Sequence, residues 1–226
     1  MKVLDKNKHL ERPKTILFDW DGTLVNSLGL ICDAMQGAFK VFKQLPISKK
    51  EFMKTIHGPS EEFIGKHFPN NSHDEVKKVF LDLYKQFANK KLVLLPNAKK
   101  NLDYLYKKEI KMAVVSNKEA PLLMLEIKKL GLEKYFLSIV GSGDVKESKP
   151  SPLSAFKALK DIGVRPSQEV WFVGDSATDM ATAHNSNCLP VFFGADDYTS
   201  EHYKSCPPKV HFLNHRDLLK YLSSDD

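Results

Sequence analysis

The stretch that decides the fold runs from Ile16 to Ser27 and reads ILFDWDGTLVNS. Three apolar residues, Ile16, Leu17 and Phe18, lead without interruption into Asp19-Trp20-Asp21-Gly22-Thr23. An unbroken apolar run is the pattern of a strand buried on both faces of a parallel sheet. The carboxyl end of such a strand faces the crevice where α/β sheets bind their ligands. Two carboxylates at alternate positions there, Asp19 and Asp21, repel each other unless a cation lies between them. Gly22 then lets the chain turn sharply. An acidic turn after a strand would explain the same letters, so the reading depends on the rest of the chain.

Outward from this stretch, two different patterns follow. Leu28, Ile31, Met35, Ala38, Phe39, Phe42 and Leu45 recur at spacings of three and four, which predicts an amphipathic helix from Ser27 to Leu45, stopped by Pro46. Ser48 with Glu51, and Ser72 with Glu75, have capping-box spacing and open two further helices. Residues 60–68 read as a short helix after the break at Gly58-Pro59. Beyond about residue 90 the pattern changes. Short apolar runs at 111–115 (KMAVV), 137–140, 170–173 (VWFV), 189–193 and 210–213 predict strands. Helical patterns over 97–108, 121–130, 151–162, 177–185 and 215–222 separate them. Strands alternating with helices predict an α/β architecture, a doubly wound parallel sheet with helices on both faces. Residues 1–24 and 91–226 are therefore expected to form the α/β core, and residues 25–90 an all-helical cap inserted after the first strand. Residues 1–14 read as a polar lead-in.

The composition bounds the function. A chain of 226 residues with 42% hydrophobic and 27% charged residues has ample material for a core. No apolar run reaches the roughly 18 residues a membrane span needs, and the first residues, MKVLDKNKHLERPK, do not resemble a signal peptide. Three scattered cysteines, Cys32, Cys188 and Cys206, are too few for a disulfide framework or a zinc site. They fit a reducing, cytoplasmic compartment. Cys32 reads as a small packing residue. The net charge of +6 comes from lysines spread along the chain, with no Arg-rich arm. Neither nucleic acid nor membrane is an expected partner, although a positive field can draw in an anionic metabolite.

Three other predicted strands also end in polar residues. Val114-Val115 runs into Ser116-Asn117-Lys118. Ile139-Val140 leads through a GSGD segment to Lys149-Pro150, and Trp171-Phe172-Val173 runs into Gly174-Asp175-Ser176-Ala177-Thr178-Asp179. In a parallel sheet these ends share one edge, so residues far apart in sequence can converge there. Each has a purely structural explanation: Ser116-Asn117 could cap a helix, Lys149 could lie on the surface, and Asp175 and Asp179 could serve a helix N-terminus.

Together, in this order, FDWDGTL, VVSNK, Lys149-Pro150 and VGDSATD resemble the four motifs of the haloacid dehalogenase superfamily of phosphohydrolases. The helical insert resembles the cap of its phosphoglycolate-phosphatase-like branch, and the resemblance covers the chain past its first dozen residues. It implies a Rossmann-like core and a Mg²⁺-dependent phosphatase acting on a small phosphate ester, 2-phosphoglycolate or a similar one, through an aspartyl-phosphate intermediate. By match to the motifs, Asp19 would be the nucleophile and Asp21 the general acid and then base. Asp19, the Asp21 backbone carbonyl and Asp175 would hold the metal, with Asp179 orienting its ligands. Ser116 and Lys149 would bind the phosphoryl oxygens, with Asn117 and Lys118 shaping the pocket. His57, at the break in the cap, would touch substrate or merely end a helix. An aspartate two residues after the nucleophile points to phosphoryl rather than halide chemistry. A sugar phosphomutase using the same intermediate, and a catalytically silent binding protein on the same fold, are the alternatives. Two departures from the family pattern, Asn26-Ser27 and Asn185-Ser186-Asn187-Cys188, touch no expected catalytic position, and Asn187 is expected in the left-handed region.

Overall fold

The computed structural model describes residues 2–3, 10–55, 60–195, 198–199 and 201–224. The chain divides into two compact units, one comprising Met1–Val25 with Leu94–Asp226, the other Asn26–Val93.

The larger unit is built on a seven-stranded sheet. Its strands in chain order are β1 (Lys2–Val3), β2 (Thr15–Phe18), β3 (Lys111–Glu119), β4 (Ser138–Ser142), β5 (Val170–Gly174), β6 (Leu189–Phe193) and β7 (Val210–Phe212). They lie in the order β1-β7-β6-β5-β2-β3-β4. Six pair in parallel, and β1 closes one edge antiparallel to β7 with Lys2 opposite His211. The lead-in is thus not wholly outside the sheet, as its polar composition suggested. Two residues are too short a strand to leave a periodic trace.

β2 is central. Ile16, Leu17 and Phe18 are fully buried, as the apolar run required. Leu17 points to the face where Ala113, Val115 and Phe172 meet Ala155, Ala158 and Leu159. Those last three belong to the helix α7 (Leu153–Asp161). The remaining helices of this unit are α5 (Ala98–Lys107), α6 (Ala120–Lys129), α8 (Ala177–Asn185) and α9 (His215–Leu222). Asn187 follows α8 with φ +57°, the left-handed conformation that ends helices. Within this unit the chain leaves and re-enters side by side: Val25 bridges Leu94 antiparallel, and the Leu95 N–H donates to the Leu24 carbonyl at 2.9 Å.

The smaller unit is helical: α1 (Leu28–Val41), α2 (Lys49–Thr55), α3 (Ser60–His67) and α4 (His73–Lys91). The capping box at Ser72 and Glu75 is formed in both directions. Glu51 N–H donates to Ser48 Oγ at 3.1 Å. Cys32, Met35, Phe39, Phe52, Ile64, Phe68 and Val76 share one core, with the Phe39 and Phe68 rings stacked 4.7 Å apart. Cys32 is buried in it, which accounts for it as packing. One expectation fails here. α1 ends at Val41 rather than Leu45, because Lys43 turns left-handed (φ +54°) and the Gln44 N–H closes onto the Phe39 carbonyl at 2.9 Å. Such a closure satisfies the last carbonyls of a helix. Leu45 is consequently 90% exposed instead of buried. No helix among the described residues is long and apolar enough to cross a membrane.

Candidate active site

The parallel register brings the ends of three strands level. Phe18 lies opposite Val114 on β3 and Val173 on β5, and the Asp19 N–H continues the ladder onto the Val173 carbonyl at 2.9 Å. Asp19 therefore emerges between β3 and β5, one residue beyond the last pair of each. Carboxylate oxygens of Asp19, Asp175 and Asp179 lie within 4.8 Å of one another.

Among the described residues, one cation joins this cluster. Lys149 Nζ donates to Asp19 Oδ1 at 2.6 Å, to Asp179 Oδ1 at 2.7 Å and to the Val115 carbonyl at 3.0 Å. Burial alone would push the Lys149 ammonium down, but the charges of Asp179 and Asp19 outweigh it and hold its pKa above the ordinary lysine value. The carboxylates feel the opposite imbalance. Burial drives the Asp19 carboxyl up to about 7, with Lys149 opposing and Asp179 adding to the rise. Asp175 is likewise raised well above the usual carboxylate range, by desolvation first and then by Asp19 and Asp179. Three carboxylates against one ammonium leave an excess of negative charge.

The close packing of these groups depends on two glycines. Gly22 turns with φ +85°, and a Cβ there would lie 2.1 Å from Asp175 Oδ2. At Gly174 a Cβ would come within 2.4 Å of the Asp179 side chain. Asp179 also completes the N-terminus of α8, its Oδ2 accepting from Ser176 N–H (3.1 Å) and Ser176 Oγ–H (2.6 Å). Its capping role and its place in the cluster coexist, since the two oxygens face different partners.

Ser116 and Asn117 do not cap a helix. β3 continues through them to Glu119, and α6 starts at Ala120. The Ser116 hydroxyl is buried and accepts the Lys118 N–H at 3.1 Å. The Asn117 carboxamide clamps the main chain of Lys149: Nδ2 donates to its carbonyl at 3.0 Å, and Oδ1 accepts its N–H at 2.9 Å. Its side chain thus aims Lys149 across 32 residues of sequence. Asp21 stands apart from the carboxylate cluster, its Oδ1 receiving Lys118 Nζ at 2.7 Å. His57 lies outside the described residues.

Several contributors were not singled out by sequence. Thr23 Oγ lies 3.4 Å from both Asp19 Oδ2 and Asp175 Oδ1. The Thr23 carbonyl accepts His215 Nε2–H at 2.8 Å, and His215 Nδ1 meets the Asn101 amide at 2.8 Å. This fixes the imidazole as the neutral Nε2–H tautomer, and burial lowers its pKa to about 4. A carboxylate-rich strand end needs such bracing, but nothing near residues 101 or 215 signals it.

Among the described residues the donor set is three carboxylates without sulfur or imidazole, in a site one positive charge cannot neutralise, and it fits a hard divalent cation.

Comparison with known proteins agrees with this geometry. The family model for haloacid dehalogenase-like hydrolases matches residues 16–192. A phosphoglycolate phosphatase of Photorhabdus laumondii is 30% identical over 221 residues, covering 94% of both chains. The pyrophosphatase PpaX of Listeria welshimeri is 26% identical, over 94% of this chain and 97% of its own. Among solved structures, a HAD-superfamily hydrolase from Ehrlichia chaffeensis superposes with a TM-score of 0.65 at 28% identity, covering 96% of this chain and 98% of the other. With the family model spanning most of its length and all four strand ends in place, the chain belongs to the haloacid dehalogenase-like hydrolases.

Proposed function

We propose that this hydrolase is a Mg²⁺-dependent phosphatase of a small phosphorylated metabolite, 2-phosphoglycolate or a close analogue, working through an aspartyl-phosphate on Asp19. The observation that carries the reading is the convergence of Asp19, Asp175, Asp179 and Lys149 at one sheet edge, with Asp21 two residues from Asp19 and held separately. The named phosphatase relatives support the choice of ester.

In this reading Asp19 attacks phosphorus; its carboxylate at the strand end, held by Lys149 at 2.6 Å, supports that role. A carboxylate nucleophile splits the hydrolysis into two easier steps. Asp21 gives its proton to the leaving oxygen in the first step and takes one from water in the second. Lys149 and Ser116 offer an ammonium and a hydroxyl to the phosphoryl oxygens, where negative charge spreads in the transition state. Asp19, the Asp21 carbonyl and Asp175 would hold the Mg²⁺, with Asp179 steering from behind. When bound, the ion neutralises the meeting of anionic nucleophile and anionic ester. The helical unit, residues 26–93, is read as a cap that excludes water and selects the substrate.

The test is phosphate release across a panel of phosphate esters and pyrophosphate, with and without Mg²⁺. Wild type should release phosphate only with the metal, and Asp19→Asn should lose on the order of 10⁴-fold or more of that activity. A folded wild-type protein that releases phosphate from no ester would sink the reading. Isomerisation of a sugar phosphate without release would replace it with a mutase.

A further inference from the structure

Asp21 belongs to a second network of buried side chains. Its Oδ1 receives Lys118 Nζ at 2.7 Å, and the same ammonium donates to Glu126 Oε2 at 2.7 Å. Glu126 Oε2 also accepts the Trp20 indole N–H at 2.7 Å. The side chains of Lys118 and Glu126 are only 5% and 2% exposed. The other oxygen, Glu126 Oε1, is buried with no hydrogen-bond partner among the described residues.

Folding alone gains little from this arrangement. Burying an ion pair usually costs more in lost hydration than its attraction returns, and apolar residues of similar size would pack as well or better. An unpartnered carboxylate oxygen adds to that penalty. What the network does achieve is geometric. Lysine is a flexible four-carbon stem, able to hold a target only if its own ammonium is held. Glu126 supplies that anchor from α6, and Trp20, in the chain between Asp19 and Asp21, fixes Glu126 in turn.

We propose that Lys118, anchored by Glu126 and Trp20, is a positioning residue that sets the direction from which Asp21 presents its carboxyl group to the leaving oxygen. The inference rests on the phosphatase reading above. In the step concerned, a bond forms between an Asp19 carboxylate oxygen and phosphorus. The bond from phosphorus to the ester oxygen breaks, and the Asp21 proton moves to that oxygen. A group that aims the acid matters in proportion to how much the leaving oxygen needs a proton. Losing Lys118 should therefore hurt an alkyl ester, which leaves as a strongly basic alkoxide, far more than a nitrophenyl ester, which leaves unaided.

The experiment compares kcat/KM of wild type, Lys118→Met, Lys118→Arg and the double variant Lys118→Met/Glu126→Met on 2-phosphoglycolate and p-nitrophenyl phosphate, with thermal unfolding as the check on folding. Because kcat/KM stops at the first irreversible step, it isolates the transfer to Asp19. For Lys118→Met the alkyl ester should fall about 100-fold and the nitrophenyl ester no more than about fivefold, in line with the usual range of general acid catalysis. Lys118→Arg should recover about tenfold of the alkyl loss, since it keeps a donor but not its reach. The double variant removes the charge pair as a unit, so it should fold at least as well as the single variant and keep the same selective loss. That combination separates positioning from stability. Equal losses on both esters, or none on either, would overturn the inference. If 2-phosphoglycolate is not turned over, the alkyl ester used is the best one from the panel above. A folded wild type that releases phosphate from no ester of that panel would instead remove the phosphatase reading on which the inference rests.

Discussion

Two lysines in the larger unit perform the same geometric act in different company. Lys149 bridges Asp19 and Asp179, and Lys118 bridges Asp21 and Glu126, each ammonium lying 2.6 to 2.7 Å from two carboxylates. The first pair has a third carboxylate beside it, Asp175, whereas the second has the neutral indole of Trp20. The first region thus sets three carboxylates against one ammonium and the second sets two against one, so the demand for added positive charge is greater in the first. The difference teaches which side is built to receive something and which is built to stay still. The bracing differs accordingly: the first region is tied through Thr23 to a buried neutral imidazole, the second through Glu126 to the strand-end tryptophan.

The largest expected effect comes from taking the cation out of the first region. Lys149→Met should lower phosphate release by about 10³-fold by removing a charge-stabilising donor. Without added metal it should also cost about 3–5 kcal/mol in urea unfolding, because buried carboxylates lose their partner. If Lys149→Met were as active as wild type, the asymmetry between the two lysines would be broken.

Next is the imidazole brace. The folded pKa of His215 is depressed to about 4 from an ordinary 6.5, so between those values the unfolded chain takes up the proton more readily. Its stabilising contribution is complete above pH 6.5 and is lost progressively as pH falls toward 4. That loss is about 3 kcal/mol from the size of the shift. Urea unfolding from pH 7.5 to 4 should show this component in wild type and lack it in His215→Gln, which carries no titrating ring.

A divalent cation should distinguish the regions directly. Saturating Mg²⁺, at about 100 times its dissociation constant, should stabilise wild type by about 2.7 kcal/mol. Asp175→Asn should abolish the rise in thermal midpoint, while Glu126→Gln should retain it. A rise lost in Glu126→Gln and kept in Asp175→Asn would place the metal in the other region.

The smallest effect should be Trp20→Phe, which removes one hydrogen bond to a buried carboxylate and costs about 1–3 kcal/mol. Calorimetric unfolding measures it, and no change at all would mean that Glu126 needs no anchor.

The first region was legible in the sequence and the second was not, for a physical reason. Asp19, Ser116 and Asp175 each follow an apolar run, and a parallel sheet obliges the ends of such runs to meet at one edge, whatever the intervening chain. Lys149 stands beside a proline at the end of the β4 connection. Glu126 offers no such cue. It lies in APLLMLEIKK, where a charged residue ahead of two lysines reads as helix surface, and only the rotation of α6 against the sheet buries it. His215 likewise reads as the opening of the last helix. Its partner Asn101 is 114 residues away, beyond any periodic signal. Asn117 shows a subtler limit. Its position beside Ser116 suggested the phosphate pocket, yet its carboxamide is committed to the Lys149 main chain by a loop no local pattern describes. The helical pattern of the smaller unit was readable except at the end of α1, where a left-handed lysine did what Pro46 was expected to do.

The junction at Val25 and Leu94 carries a consequence of another kind. Because the chain departs and returns as antiparallel neighbours, bonded from Leu95 N–H to the Leu24 carbonyl, the sheet meets the whole insertion as if it were the loop of a hairpin. The entropy of closing a loop grows only slowly with its length, so the core is nearly indifferent to what is spliced there. Helical units of other sizes and sequences can occupy that position without altering the sheet's pairing. If the helical unit selects the substrate, as proposed above, that choice can change at this junction without touching the strand ends.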